Sequence, residues 1–515
     1  MKLGVFGSAA LLLPTERVAR AELAMRNRMP QSRLPEPFTT EFATPPVIAP
    51  RRVGLTDVYE LSQSSVQADI LPGLKTEVWG YGGLVPGPTI EVRRYTPTIV
   101  RQVNALPAKH PTLLYTPWTS THLHGSASLP EYDGYASDIT NPGEFKDYHY
   151  PNAQEARTLW YHDHGVHVTS PNAYMGLAAM YILHDDHELG LPIPHGRYDV
   201  PLVIKDAAFQ KSGALIFDDR SQSSLMGDVI LVNGRPWPVM QVERRKYRFR
   251  ILNASISRSY ELALDSGEPL IVIATDAGLL AEPVYTPTLK HGMAERYEVV
   301  IDFAKYALDQ RVVLQNLGPK NNVDFASTSV VMAFDVTDEP TDLTGNDLPD
   351  VLNPDDPVMA LEPSMATATR LLDFKRQGGD WTVNGMTWED VINSGFSATL
   401  ANPDLDAVEI WEFRNNSGGW FHPIHVHQVD FRILDRNGAP PEPYERGPKD
   451  TVYLGEGETV RVIARFGPNE GRYMIHCHNL VHEDHDMMVQ YEVGTGGHDP
   501  ITADPARPVS EAQPL

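Results

Sequence analysis

Apolar and polar residues alternate in short runs along most of this 515-residue chain, and turn residues separate the runs. The clearest are Thr98–Val103, Val229–Val232, Tyr247–Leu252, Tyr297–Ile301, Val312–Leu314, Val408–Phe413 and Val460–Ala464. They favour Val, Ile, Tyr and Phe, and side chains two apart in an extended segment share a face, so each run reads as a strand. Long stretches with helical periodicity are scarce. The pattern predicts an all-β protein.

A loose repeat overlies the pattern. Each third of the chain carries a Gly-rich or Asn-Gly turn beside a tryptophan: Trp79 to Gly87, Val232-Asn233-Gly234 before Trp237, and Val383-Asn384-Gly385 before Trp388. One β unit used three times predicts three related sandwiches. Pro-bearing and acidic stretches set the expected limits: a signal-like, loose segment at 1–40, domains at 41–185, 195–338 and 371–495, a connection at 339–370 and a loose tail at 496–515. The polar, Pro-bearing stretch 184–200 reads as the linker between the first two domains.

Composition narrows the class. With 42% hydrophobic and 21% charged residues the chain is globular, and 43 Pro with 38 Gly suit many short strands and turns. A net charge of −24 repels phosphate backbones and anionic membranes, which excludes nucleic acid and lipid surfaces as expected partners. No run is long and apolar enough for a spanning helix, for which about 18 residues are needed. Gly4–Leu13 is a short apolar run followed by Ala19-Arg20-Ala21, the shape of an export signal. Twin-Arg signals carry two arginines before that run, and Lys2 is the only basic residue there. The expectation is export to the periplasm or medium from a trimmed or misassigned start; the alternative is a cytoplasmic protein. Cys477 is the sole cysteine, so no internal disulfide forms and its position becomes informative.

The histidines carry the chemistry. Ten of 19 fall in four clusters: His122-Leu123-His124, His162-Asp163-His164, His422-Pro423-Ile424-His425-Val426-His427, and His476-Cys477-His478 with His482. In a strand, each His-X-His aims two imidazoles to one side. Four converging pairs supply eight imidazoles, enough for several metal ions. In the fourth cluster Cys477 points away from its two neighbours, so one peptide touches a thiolate site and an imidazole site at once. Two His, one Cys and a weak axial thioether form an electron-transfer copper set, and His422, Cys477, His482 and Met487 offer it. Zinc would gain nothing from such a relay.

In this order the four motifs resemble those of the multicopper oxidases, over residues 50–495 or so, with the nearest likeness to bilirubin oxidases and then bacterial spore-coat laccases. The stretches that carry the likeness are Thr121–Gly125 with Asp133-Gly134, Ala156–His164, Gly227–Arg250 and His476–Met488. The resemblance implies three cupredoxin-like, Greek-key β-sandwich domains and four copper ions. It assigns His422, Cys477, His482 and Met487 to type 1 copper and His122 and His425 to type 2. One type 3 copper takes His124, His162 and His478; its partner takes His164, His427 and His476. It implies an oxidoreductase that takes single electrons from a phenolic or tetrapyrrole donor and reduces O₂ to two waters. The middle domain, with no matching ligand, would be a spacer that helps shape the substrate side. Glu483 and Asp133 stand where similar enzymes have proton relays, with ligand orientation as their other reading. Trp420, two residues before His422, stands where bilirubin oxidases have a donor-side tryptophan; the alternative is a packed aromatic. A thioether at Met487 implies a moderate type 1 potential. The competing functions are a Cu(I) or Mn(II) oxidase, against which the 15 scattered Met argue, and a copper-binding scaffold without catalysis.

Overall fold

The computed structural model describes residues 21–515. Six sheets form three pairs, each pair drawn mainly from one contiguous stretch of chain. All seven strands expected from alternation are present, extended by at most two residues at either end; Val229–Val232 is unchanged and Tyr247–Leu252 becomes Lys246–Asn253. Among the described residues, no helix is long and apolar enough to cross a membrane.

The repeat is visible in both topology and turns. In each sandwich a long first strand pairs in parallel with a later one: Thr56–Ala68 with Thr98–Asn104, Asp199–Ala207 with Lys246–Asn253, and Ala368–Gln377 with Val408–Asn415. The turns also correspond. Gly82-Gly83, Asn233-Gly234 and Asn384-Gly385 all have two successive positive φ angles. A tight two-residue hairpin turn demands that conformation, and Gly and Asn adopt it at least cost.

Three segments differ from expectation. The tail at 496–515 is not loose: Arg507–Pro508 pairs with the Glu144–Tyr150 strand, and Arg101 Nη1 donates to the Gln513 carbonyl at 2.7 Å. That strand is otherwise an open sheet edge, whose backbone groups need partners; Pro and Gly content did not report this. The expected apolar leader at Gly4–Leu13 lies outside the described residues. Within 21–40, however, Met29 and Leu34 are buried in the middle sandwich's core, so this part is packed rather than loose. The stretch at 184–200 is polar because it is an ionic seam. Glu188 is 1% exposed and meets Arg248 and Arg250, which also hold Glu298. The stretch at 339–370 runs over the middle sandwich until the Ala368 strand begins.

Candidate metal centres

Two short sheets build the site. The Thr121–His124 strand lies beside Arg157–Asp163, with His122 opposite His162 and His124 opposite Trp160. The His422–Val426 strand lies beside Gly471–Cys477, with His425 opposite His476 and Ile424 opposite Cys477. His164, His427 and His478 come one residue after their strands end, and backbone bonds hold each: His164 N–H to Ser120 O at 2.6 Å, His427 N–H to Met474 O at 3.0 Å, His478 N–H to Pro423 O at 2.6 Å. Strand alternation therefore places the first histidine of these pairs, and tethered turns place the second. Gly134 lets a separate loop pack on the first histidine: at φ +73 it presses on His122, where an added Cβ would lie 2.6 Å from the His122 backbone.

The structure brings all the sequence candidates into two adjoining clusters. On one side of the Cys477 peptide, His422 Nδ1 lies 3.3 Å from Cys477 Sγ and 3.1 Å from His482 Nδ1. Sγ is 3.7 Å from His482 Nδ1. Met487 is fully buried in the same apolar cluster as Cys477, and its carbonyl accepts from Cys477 N–H at 3.0 Å. The outer nitrogens are occupied: Ser417 Oγ is 2.8 Å from His422 Nε2, and the Asn479 amide is 3.2 Å from His482 Nε2. Burial drives the Cys477 thiol well above its ordinary pKa, so ionising it requires a cation held against the sulfur.

On the other side, eight imidazoles converge. His122 Nε2 and His425 Nε2 are 3.4 Å apart. His476 Nε2 is 3.1 Å from His164 Nε2 and 3.2 Å from His427 Nε2. His124 Nδ1, His162 Nε2 and both His478 nitrogens are buried without a hydrogen-bond partner. Burial holds all eight well toward the neutral form, His425 and His476 down to about 3 and His164 to about 4. Neutral imidazole lone pairs crowded together cannot all bond one another, and unpaired buried nitrogens are costly; shared cations resolve both problems. This donor set, with one buried Cys–His–His triad beside it, fits copper.

Carboxylates hold the rings from outside. Asp133 Oδ2 is 2.7 Å from His427 Nδ1, and the Asp133 carbonyl is 2.5 Å from His122 Nδ1. Glu483 Oε2 is 2.9 Å from His476 Nδ1 and its Oε1 3.6 Å from His164 Nδ1. Burial raises both carboxyls above their ordinary pKa. Trp420 is half-buried, its ring 5.6 Å from His482.

Sequence reasoning missed four participants. Trp381 is fully buried, its ring 3.9 Å from His482 and its Nε1–H donating to Gln222 O at 2.5 Å. Trp160 stacks on His162 at 4.1 Å. Asp450 touches His124 and His425, and Arg296 of the middle sandwich holds Asp450. Trp160 lies within the Ala156–His164 motif, where histidine spacing gives it no role; the other three carry no spacing signal. The middle sandwich is thus more than a spacer: its Gln222 and Ser223 carbonyls accept from Trp381 and Asn479 over one cluster, and Arg296 reaches the other.

Comparison with known proteins follows the same lines. Three family models, each described as multicopper oxidase, match residues 63–188, 205–332 and 360–497. A bilirubin oxidase from Albifimbria verrucaria is 42% identical over 93% of this chain and 85% of its own length. A laccase from Bacillus subtilis is 35% identical, covering 80% of this chain and 89% of its own. Among solved structures, a laccase from Pediococcus acidilactici superposes with a TM-score of 0.78 at 27% identity, covering 90% of this chain and 95% of that one. The sandwiches are accordingly cupredoxin-like.

Proposed function

The chain belongs to the multicopper oxidase family, and from that premise we propose that it oxidises phenolic or tetrapyrrole donors one electron at a time and reduces O₂ to two waters. Copper supplies the redox chemistry when bound: it accepts single electrons and passes them to oxygen. In this reading type 1 copper takes His422, Cys477, His482 and Met487, and type 2 takes His122 and His425. The type 3 pair takes His124, His162 and His478 on one ion and His164, His427 and His476 on the other, four ions in all. The observation that carries the reading is the His476-Cys477-His478 peptide, whose thiol faces one cluster while its two imidazoles face the other.

The residues divide the work. Cys477 joins the two clusters by a covalent path of one side chain and one backbone step in either direction. Glu483 and Asp133 are carboxyls with raised proton affinity, in contact with ring nitrogens beside the imidazole cluster, and they hold and deliver the protons that water formation consumes. On the donor side His422 and His482 are both fully buried. Half-buried Trp420 then offers the flat apolar contact for a planar donor, with the Arg376 guanidinium, 5.3 Å from the Trp381 ring, nearby for an acidic substituent. The likeness to a bilirubin oxidase favours donors of that shape.

The test is copper loading of the full chain, followed by bilirubin and a simple phenol as donors in an oxygen electrode. Blue absorbance, bound copper and donor-dependent O₂ uptake are expected together. Copper binding without O₂ uptake would replace the oxidase reading with a copper carrier or scaffold.

A further inference from the structure

Each of three buried carboxyl residues joins a histidine of the first sandwich to one of the third. Asp133 joins His122 to His427, and Glu483 joins His164 to His476. The third is Asp450. Its Oδ1 lies 3.1 Å from His124 Nε2, and its carbonyl lies 2.9 Å from His425 Nδ1. Thr451 Oγ1 adds a second contact to His124 Nε2, also at 3.1 Å. This occupies the outer nitrogen of His124 and leaves Nδ1 as the buried, unpartnered one. His162 is turned the other way, with Nδ1 on the Asp163 carbonyl at 2.8 Å and Nε2 unpartnered.

Asp450 differs from the other two in what stands behind it. Arg296 Nη1 and Nη2 grip its two oxygens at 2.7 and 2.5 Å. The remaining donors of Arg296 go to Thr158 O at 2.8 Å, Ala294 O at 3.1 Å and Asp276 O at 3.0 Å, so all five N–H groups are used. Asp276 in turn receives Lys449 Nζ at 2.9 Å, and Lys449 also meets Glu295 at 3.1 Å. Every member is 1% exposed or less. Arg296, Asp276 and Glu295 belong to the middle sandwich, Thr158 to the first, Lys449 and Asp450 to the third. Gly125 closes the arrangement: a Cβ there would lie 2.6 Å from Asp450 Oδ2 and 2.7 Å from Arg296 Nη2.

We propose that Asp450, clamped by Arg296, is a positioning residue for the imidazole cluster, fixing the orientation of His124 and His425, and that the middle sandwich governs the cluster through this clamp. It rests on the copper reading above. A bidentate pair with every donor satisfied fixes both angle and distance, which a lone carboxylate on a rotatable side chain would not. Such outer partners of metal-binding histidines are typically worth about 10–100-fold in metal affinity or activity.

The test is Asp450→Asn in the full copper-loaded chain, with wild type and Arg296→Lys alongside. Expected for Asp450→Asn are an unchanged blue band, less bound copper, an altered type 2 EPR signal and O₂ turnover down about 10–100-fold. Arg296→Lys, which keeps the charge but not the two-point grip, should shift the type 2 signal in the same direction by less. Should Asp450→Asn not fold, Arg296→Met/Asp450→Asn removes both charges together and must show the same spectral change. A folded variant with full copper, wild-type type 2 EPR and wild-type turnover overturns the proposal. A wild type without blue absorbance or O₂ uptake would instead remove the copper reading beneath it.

Discussion

The two faces of the His476-Cys477-His478 peptide are lined by different chemistry. The thiol face has neutral partners: Ser417, Asn479 and the indole of Trp381 touch its two histidines. The imidazole face is ringed by Asp133, Glu483 and Asp450. In the proposed function the first would exchange electrons and so needs a rigid, low-polarity setting in which charge change reorganises little. The second would also gain protons and hold several positive charges, which asks for carboxylates. The thiol face and the buried Met487 beside it come from one sandwich, capped by a loop of the middle one. The imidazole face is assembled from the first and third and braced by the middle. A fault in the third sandwich alone should therefore stop electron entry, and a fault in the seams should stop oxygen chemistry.

Cys477→Ser separates the faces most severely. It should abolish the blue band and bring donor-driven O₂ uptake to the level of copper-free protein, while the type 2 EPR signal persists. Loss of that signal as well would mean that the clusters are not independently formed.

Glu483→Gln should act on the other face. It keeps the shape but cannot carry a proton, so steady-state turnover should fall about 100-fold or more, whereas anaerobic bleaching of the blue band by donor proceeds at the wild-type rate. Equal slowing of both, followed by stopped-flow absorbance, would erase the division.

The ionic seam between the first and middle sandwiches asks whether buried charge away from copper has only a structural effect. Arg248→Met leaves Glu188 and Glu298 to share Arg250 and should cost up to about 3–5 kcal/mol of stability by urea denaturation, with the copper spectra of the folded fraction unchanged. The pH sign follows from Glu188. Burial alone would raise its carboxyl, but Arg248, His184 and Arg250 outweigh burial and hold it well below 4.5. A carboxyl depressed in the folded state contributes stability above its unfolded value and loses it as pH falls below. Wild type should weaken progressively below about pH 4.5, and Arg248→Met should flatten that slope; parallel curves would refute the assignment.

Trp420→Phe should have the smallest effect. Losing one indole contact is worth about 1 kcal/mol, roughly a fivefold drop in kcat/KM for a planar donor and none in the oxygen step. An equal loss for a small inorganic donor would make Trp420 a packing residue.

What could be read in advance follows the same division. Strands, the triple turn and the ten clustered histidines were legible because they depend on local spacing: alternation, paired positive φ, His-X-His. Asp133 and Glu483 were legible only through likeness to known motifs. Asp450, Arg296 and Trp381 were not. Each meets its partner from a distant part of the chain, Asp450 reaching His124 across 326 positions, and no periodicity encodes such a pairing. The tail and the stretch at 184–200 misled for a related reason: Pro, Gly and charge report local preference, whereas an open sheet edge and a buried ionic seam are tertiary demands.

In the proposed function, electrons collected singly at the thiol face are used together at the imidazole face. The most direct measurement is the number of ferrocyanide ions oxidised per O₂ consumed by the copper-loaded chain, with peroxide assayed in the same vessel. Four per O₂ and no peroxide are expected. Two per O₂ with matching hydrogen peroxide would contradict the proposed function.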